Sequence, residues 1–145
     1  MKSLHVIFRV GDSDYALPVG HVLQLESFTS ATRVPGAPGW VLGLVQSRGR
    51  MVPVVDLRAR FGEPEGAPTM DRRVIVTEEE SRTVGLMVDS AREVAEISDD
   101  EWKSPPELVA SQSGGFTKAV GQVGKRLIFE LDLPKVIGRD GHDGG

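Results

Sequence analysis

At 145 residues, with 39% hydrophobic and 26% charged side chains, the chain has the size and composition of one globular domain that folds without covalent staples. It has no cysteine, which excludes disulfides, thiolate metal sites and a cysteine nucleophile together and suits a reducing compartment. A net charge of −4 lacks the electropositive field that draws phosphate backbones, and no apolar run approaches the roughly 20 residues that span a bilayer.

Met1-Lys2-Ser3-Leu4 passes straight into a strand pattern without the features of a signal peptide, so a cytoplasmic protein is expected. Leu4 to Val10 reads as a strand, Gly11 to Asp14 as its turn and Tyr15 to Val19 as the return strand. Val22, Leu25 and Phe28 fit either a strand or a short helical turn; a strand after a turn at Val19-Gly20-His21 is favoured. Val34 to Gly39, with two prolines and two glycines, is a loop. Trp40 to Val45 is apolar almost without a break, as expected of a strand covered on both faces. Gln46 to Arg50 is a polar turn, and Met51 to Val55 runs back. Asp56 stands at a helix N-cap, Leu57 to Phe61 makes about one turn, and Gly62 stops it.

After a Pro/Gly-rich connector from Glu63 to Thr69, strands resume at Arg73 to Val76 and Val84 to Val88. The acidic runs Glu78-Glu79-Glu80 and Asp99-Asp100-Glu101 read as solvated turns rather than a docking surface. Val94 and Ile97 echo Val22 and Leu25. Asp99 to Gln112 is an irregular link, Phe116 to Val123 and Arg126 to Leu131 are strands, and 139–145 is expected to be a flexible tail.

Arg50 to Gly62 lies over Arg126 to Gly138 without a gap, matching Asp56 to Asp132 and Leu57 to Leu133. Pro134 falls where an early helical turn accepts proline. Each half, roughly 4–62 and 73–138, therefore reads as the same unit. Short strands with frequent Gly/Pro turns predict an all-β fold, two five-stranded β-barrels packed as one domain over 3–138 with one or two short helices.

The chemistry of an enzyme is missing from this pattern. His5, His21 and His142 fall in a strand, a turn and the tail, without metal-ligand spacing. No glycine-rich turn followed by Lys-Ser/Thr opens a helix, and Ser47, Ser90 and Ser113 lack a nucleophile's setting. No cofactor, metal or catalytic residue is expected. A small β-barrel that binds single-stranded nucleic acid is the alternative from another class, and the acidic charge and few aromatics argue against it.

Phe8, Tyr15-Ala16-Leu17-Pro18, Val22, Pro35-Gly36, Leu42-Gly43, Arg48-Gly49 and Val52-Pro53-Val54-Val55-Asp56-Leu57-Arg58 resemble the CheW family in order and spacing. The resemblance continues through Val84 to Asp89 and Leu127 to Leu133. It implies two packed SH3-like barrels and a non-catalytic adaptor that links the cytoplasmic tips of methyl-accepting chemoreceptors to the regulatory domain of the histidine kinase CheA. It also implies recruitment to membrane-associated receptor arrays without membrane insertion. Service in another receptor pathway, for motility or gene expression, stays open, as does ring assembly by a chain expected to be monomeric alone.

By the same resemblance Arg48 grips the receptor tip, a role suited to a planar guanidinium; the alternative is an ordinary solvated turn arginine. Gly43 and Val22 match positions that matter for receptor coupling or for packing alone, and Leu25 extends Val22 into an apolar strip. Two departures stand out: Gln46-Ser47 where the family usually has Asn-Leu, and Gln24 where many members carry a glutamate.

Overall fold

Val74 to Thr77 and Val84 to Val88 are strand segments buried on both faces, whereas Trp40 to Val45, expected to be covered on both, runs along a sheet edge with most side chains only half-buried. The computed structural model describes residues 1–66, 69–107 and 115–138, apart from the side chain of Arg92. The expected tail 139–145 with His142, and the end of the link up to Gln112, lie outside them. In chain order the elements are β1 (Lys2–Val10), β2 (Ser13–Pro18), a 3₁₀ turn (Val19–His21), β3 (Val22–Ser27), β4 (Val41–Ser47), β5 (Arg50–Asp56) and α1 (Leu57–Arg60). β6 (Arg73–Glu79), β7 (Arg82–Val88), β8 (Ser90–Ser98), a 3₁₀ turn (Asp99–Glu101), β9 (Thr117–Val123), β10 (Arg126–Leu131) and α2 (Leu133–Val136) follow.

Among the described residues ten strands form two five-stranded sheets, ordered β3-β6-β7-β5-β4 and β8-β1-β2-β10-β9. Each rolls into a small SH3-like barrel. Its two edge elements meet through one backbone pair, Thr32 with Leu44 in the central barrel and Lys103 with Val120 in the terminal barrel. Closure leaves few unpaired edges.

The duplication is real in three dimensions, but the chain is not divided at its middle. β3 to β7 make one barrel consecutively, whereas the other joins β8, β9 and β10 to the N-terminal hairpin β1–β2. That hairpin fills the place that β6–β7 fills in the central barrel. The parallel pairing of β2 with β10 repeats that of β7 with β5. Such a swap depends on long-range pairing, which local periodicity does not carry. The echo of Val22 and Leu25 also shifts by three residues. Leu25 faces Ile75 while Val94 faces Val6, and each edge strand skips one residue, so Ala91 takes the place of Val22.

Side chains alternate between two destinations on each strand. Val6, Phe8, Tyr15, Leu17, Val55, Ile75, Val84, Leu86, Leu131 and their neighbours form a shared core between the barrels. The intervening residues fill the barrels: Val52, Val54, Val74, Val76 and Met87 in the central one, Ile7, Ala16, Ile97 and Ile128 in the terminal one. Each fully buried aliphatic side chain contributes about 1.5–3 kcal/mol of transfer free energy. Tyr15 stacks in the shared core with Phe8 and Phe61, and burial with Glu63 nearby pushes its phenol up to about 12.

Both expected caps are present. Asp56 Oδ1 accepts the Arg58 amide at 3.1 Å and Asp132 Oδ1 that of Lys135 at 3.3 Å. Two arginines from the first helical turn then bind the barrels together. Arg58 grips Asp89 with two 2.9 Å hydrogen bonds, and Asp89 accepts the Gly11 amide of the β1–β2 turn at 2.8 Å. Arg60 donates to the carbonyls of Val136 and Lys135, at 2.9 and 3.0 Å, and lies 3.9 Å from the centroid of Trp40.

The barrels differ inside. Where the central barrel has Val74 and Val54, the terminal barrel has His5 and Glu130, whose Nε2 and Oε2 lie 3.9 Å apart. His5 is 3% exposed, donates from Nδ1 to the Ser3 carbonyl at 3.1 Å and leans on Trp102. Replacing a buried polar pair with apolar residues is often neutral or stabilising, whereas breaking it strands the survivor. The double variant His5→Val/Glu130→Val is expected to match or exceed the parent stability in urea unfolding. His5→Val alone is expected to lose about 1–3 kcal/mol. Equal losses in both would contradict this reading.

Candidate functional site

The β4–β5 hairpin closes with two residues, Arg48 and Gly49, both left-handed at φ 52° and 80°. Such turns match the twist of the flanking strands and favour Asn-Gly, because an ordinary side chain at positive φ costs about 1–2 kcal/mol. The matching turn of the terminal barrel places Gly124, at φ 61°, first and Lys125 second. The central barrel therefore holds an arginine at a positive φ where its twin has glycine. The Arg48 side chain is exposed, with no hydrogen-bond or ion-pair partner among the described residues.

The charge around it is mixed. Arg50 donates to Thr83 Oγ1 at 3.0 Å, which ties the base of the turn to β7. Since β5 and β7 run parallel, the β6–β7 turn at Glu80-Ser81 projects from the same end of the barrel. His21 meets that end too, with Nδ1 at 3.3 Å from the Glu78 carbonyl and 3.6 Å from Glu79 Oε1. The second acidic run is an exposed 3₁₀ turn capped by Ser98, as expected of solvated residues.

β3 and β4 are the two edges of the central sheet, and the site lies along the seam where they meet. Val22 and Leu25 sit on the same face of β3 because the skipped Leu23 shifts the alternation between them. Val22 is half-buried against the shared core, while Leu25 is 44% exposed. Gln24 and Glu26 take the opposite face and meet Ser47 from β4. Glu26 accepts the Ser47 hydroxyl at 2.7 Å, and the Gln24 amide donates to both Glu26 and Ser47. Gln24 and Ser47, separate departures from the family pattern in sequence, are thus neighbours in space. Glu26 drew no attention in the sequence, because the shift at Leu23 hides which residues of β3 point inward.

Gly43 is buried at φ 144°, and an added Cβ would lie 2.2 Å from the Thr32 carbonyl oxygen and 2.7 Å from its carbon. Thr32 and Leu44 form the backbone pair that closes the barrel. The requirement at Gly43 is therefore close backbone approach at the seam. The neighbouring depression of about 350 Å³, lined by Phe28, Arg33, Val34, Pro38 and Leu42 among others, holds one titratable group, Arg33, which is neither a general base nor a nucleophile.

Among the described residues no three His, Cys, Asp or Glu side chains gather as for a metal ion, and no helix is long and apolar enough to cross a membrane. Gly43→Ala is expected to lower stability by about 2–4 kcal/mol, from strain and a backbone clash together. Gly49→Ala, where the new Cβ would meet nothing within 4 Å, is expected to lose about 1–2 kcal/mol. Denaturant melts of the two variants check the difference, and equal losses would remove the role given to Thr32.

Comparison with known proteins follows the same lines. The chain is 33% identical over 132 residues to a chemotaxis protein CheW of Rhizobium meliloti, covering 91% of this chain and 85% of that one. It is 30% identical over 135 residues to the Bacillus subtilis protein of the same name, covering 93% and 86%. The crystal structure of the scaffolding protein TtCheW from Thermoanaerobacter tengcongensis matches with a TM-score of 0.89 at 27% identity, covering 97% of this chain and 96% of that one. Residues 4–140 match the model of the CheW-like domain, and the chain belongs to that family.

Proposed function

We propose that this chain is a non-catalytic chemotaxis adaptor that couples the cytoplasmic tips of methyl-accepting receptors to the regulatory domain of the histidine kinase CheA. Its proposed partners are those two proteins, and it works at membrane-associated receptor arrays without entering the bilayer. Family membership supports the coupling role. The observation that carries the receptor contact is Arg48, an exposed guanidinium with no partner among the described residues, held at a positive φ where the twin barrel has glycine. A strained residue persists where the surroundings hold it, and such positions gather at sites of function.

The planar fork of Arg48 can engage carboxylates or several carbonyls on a polar helical hairpin. Leu25, exposed on the edge strand β3, would add apolar area to the contact, and Val22 is anchored against the shared core. A hairpin tip that pairs with Arg48 need not touch the terminal barrel, which leaves a second surface for the kinase domain. Single contacts of this kind are modest in area and gain strength through multivalency in an array.

Two substitutions separate stability from binding. Arg48→Asn relieves part of the turn strain, so the variant should melt at or above the parent stability by up to about 1 kcal/mol. Its affinity for a receptor-tip hairpin fragment should nevertheless fall about tenfold or more, the worth of a lost charged contact of about 1.5–3 kcal/mol. In pull-downs Arg48→Glu should lose the receptor fragment and keep the CheA regulatory domain. Unchanged binding of the receptor fragment by both variants would remove Arg48 from the contact.

A further inference from the structure

We infer that Gln24, Glu26 and Ser47 are positioning residues that hold the Arg48 turn at its receptor-facing angle. This rests on the reading of Arg48 given under Proposed function and deepens it. The inference starts from an asymmetry in how the hairpin is secured. On one side β4 is laddered to β5 as far as the pair Ser47 and Arg50, directly below the turn. On its seam side, the backbone pair with Thr32 is at Leu44, three residues before Ser47. From Val45 onward β4 has no backbone partner on that side among the described residues, and the tip is held there by side chains, with Val45 and Val52 in the barrel core and Arg50 on Thr83.

The side-chain network takes over where the ladder ends. Ser47 is 4% exposed and is the residue immediately before left-handed Arg48. Its hydroxyl donates to Glu26 at 2.7 Å, and the Gln24 amide bridges Glu26 and Ser47. Both β3 residues are in turn held by the ladder to β6, Gln24 opposite Val76 and Glu26 opposite Val74, whose side chains fill the central barrel. The network thus joins the last buried residue before the turn to the most deeply packed part of the barrel. The carboxylate of Glu26 accepts from neutral donors, and charge-assisted hydrogen bonds of this type are shorter and stronger than neutral ones. A leucine at 47 could fill space here but could not donate across the seam.

A role in positioning Arg48 differs from a role in folding, and a double-mutant cycle distinguishes them. The probe is a soluble receptor-tip hairpin fragment, and binding is measured for the parent, Ser47→Ala, Arg48→Ala and the double variant, with the CheA regulatory domain as a second ligand. Ser47→Ala is expected to weaken the receptor fragment about fivefold in the parent and less than twofold when Arg48 is already alanine. Affinity for the kinase domain should stay unchanged. Amide exchange at Arg48 and Gly49 should quicken in Ser47→Ala and in Glu26→Ala, while the core strands keep their protection. Should Arg48→Ala bind the receptor fragment like the parent, the Arg48 reading fails and the inference falls with it. Should Arg48→Ala weaken binding while Ser47→Ala does nothing, or weakens it equally in both backgrounds, the Arg48 reading stands and the positioning role is overturned. If Ser47→Ala does not fold, Glu26→Gln, which keeps the shape and weakens the acceptor, replaces it in the same cycle.

Discussion

The shared core between the two barrels is the constraint on which the rest depends. A five-stranded barrel of this size encloses few side chains, and each barrel interior here has only a handful of fully buried residues. Stability comes from using every central strand twice, with one face inside its barrel and the other against its twin. The N-terminal hairpin completes the terminal barrel, so that barrel is not a separate stretch of chain but spans both ends of it around the central one. Arg58 on Asp89 and Arg60 on the carbonyls of α2 add directional ties to a contact that apolar burial alone would leave free to slide.

Rigidity suits the proposed work of holding two partners in a fixed relation. A docking residue on a rigid frame loses less freedom on binding than one on a mobile loop. The β4–β5 turn shows how such a frame is extended to the surface. The ladder to β5, the tie from Arg50 to Thr83, the close approach of Gly43 to Thr32 and the seam network act on one short hairpin from different directions. Their joint result is an arginine kept in a backbone state that it would not choose alone.

Much of this was legible in the sequence, for identifiable reasons. Caps and stops are local, so Asp56, Gly62 and their counterparts Asp132 and Gly138 could be read directly, and they made the duplication visible. The apolar run Val84 to Val88 announced a strand, but the run Trp40 to Val45, read as covered on both faces, lies at a sheet edge, a placement that its own residues do not encode. What stayed hidden was non-local. The exchange of β1–β2 into the later barrel leaves no periodic trace. The counterparts of Val22 and Leu25, Ala91 and Val94, lie three positions before the expected echo, and the skipped residue Leu23 concealed the inward direction of Glu26. Gln24 and Ser47 looked like two unrelated departures, because adjacency across a closed seam is a property of the barrel.

The central claim is that one rigid frame presents separate faces to two partners. Its most direct test is amide hydrogen exchange on the intact chain, alone, with saturating receptor-tip hairpin fragment, and with saturating CheA regulatory domain. The account predicts that the receptor fragment slows exchange along β3 and the Ser47 to Arg50 turn, that the kinase domain slows a different set, and that core amides of β1 and β7 exchange together and last. The same amides slowed by both partners, or two barrels losing core protection independently, would contradict it.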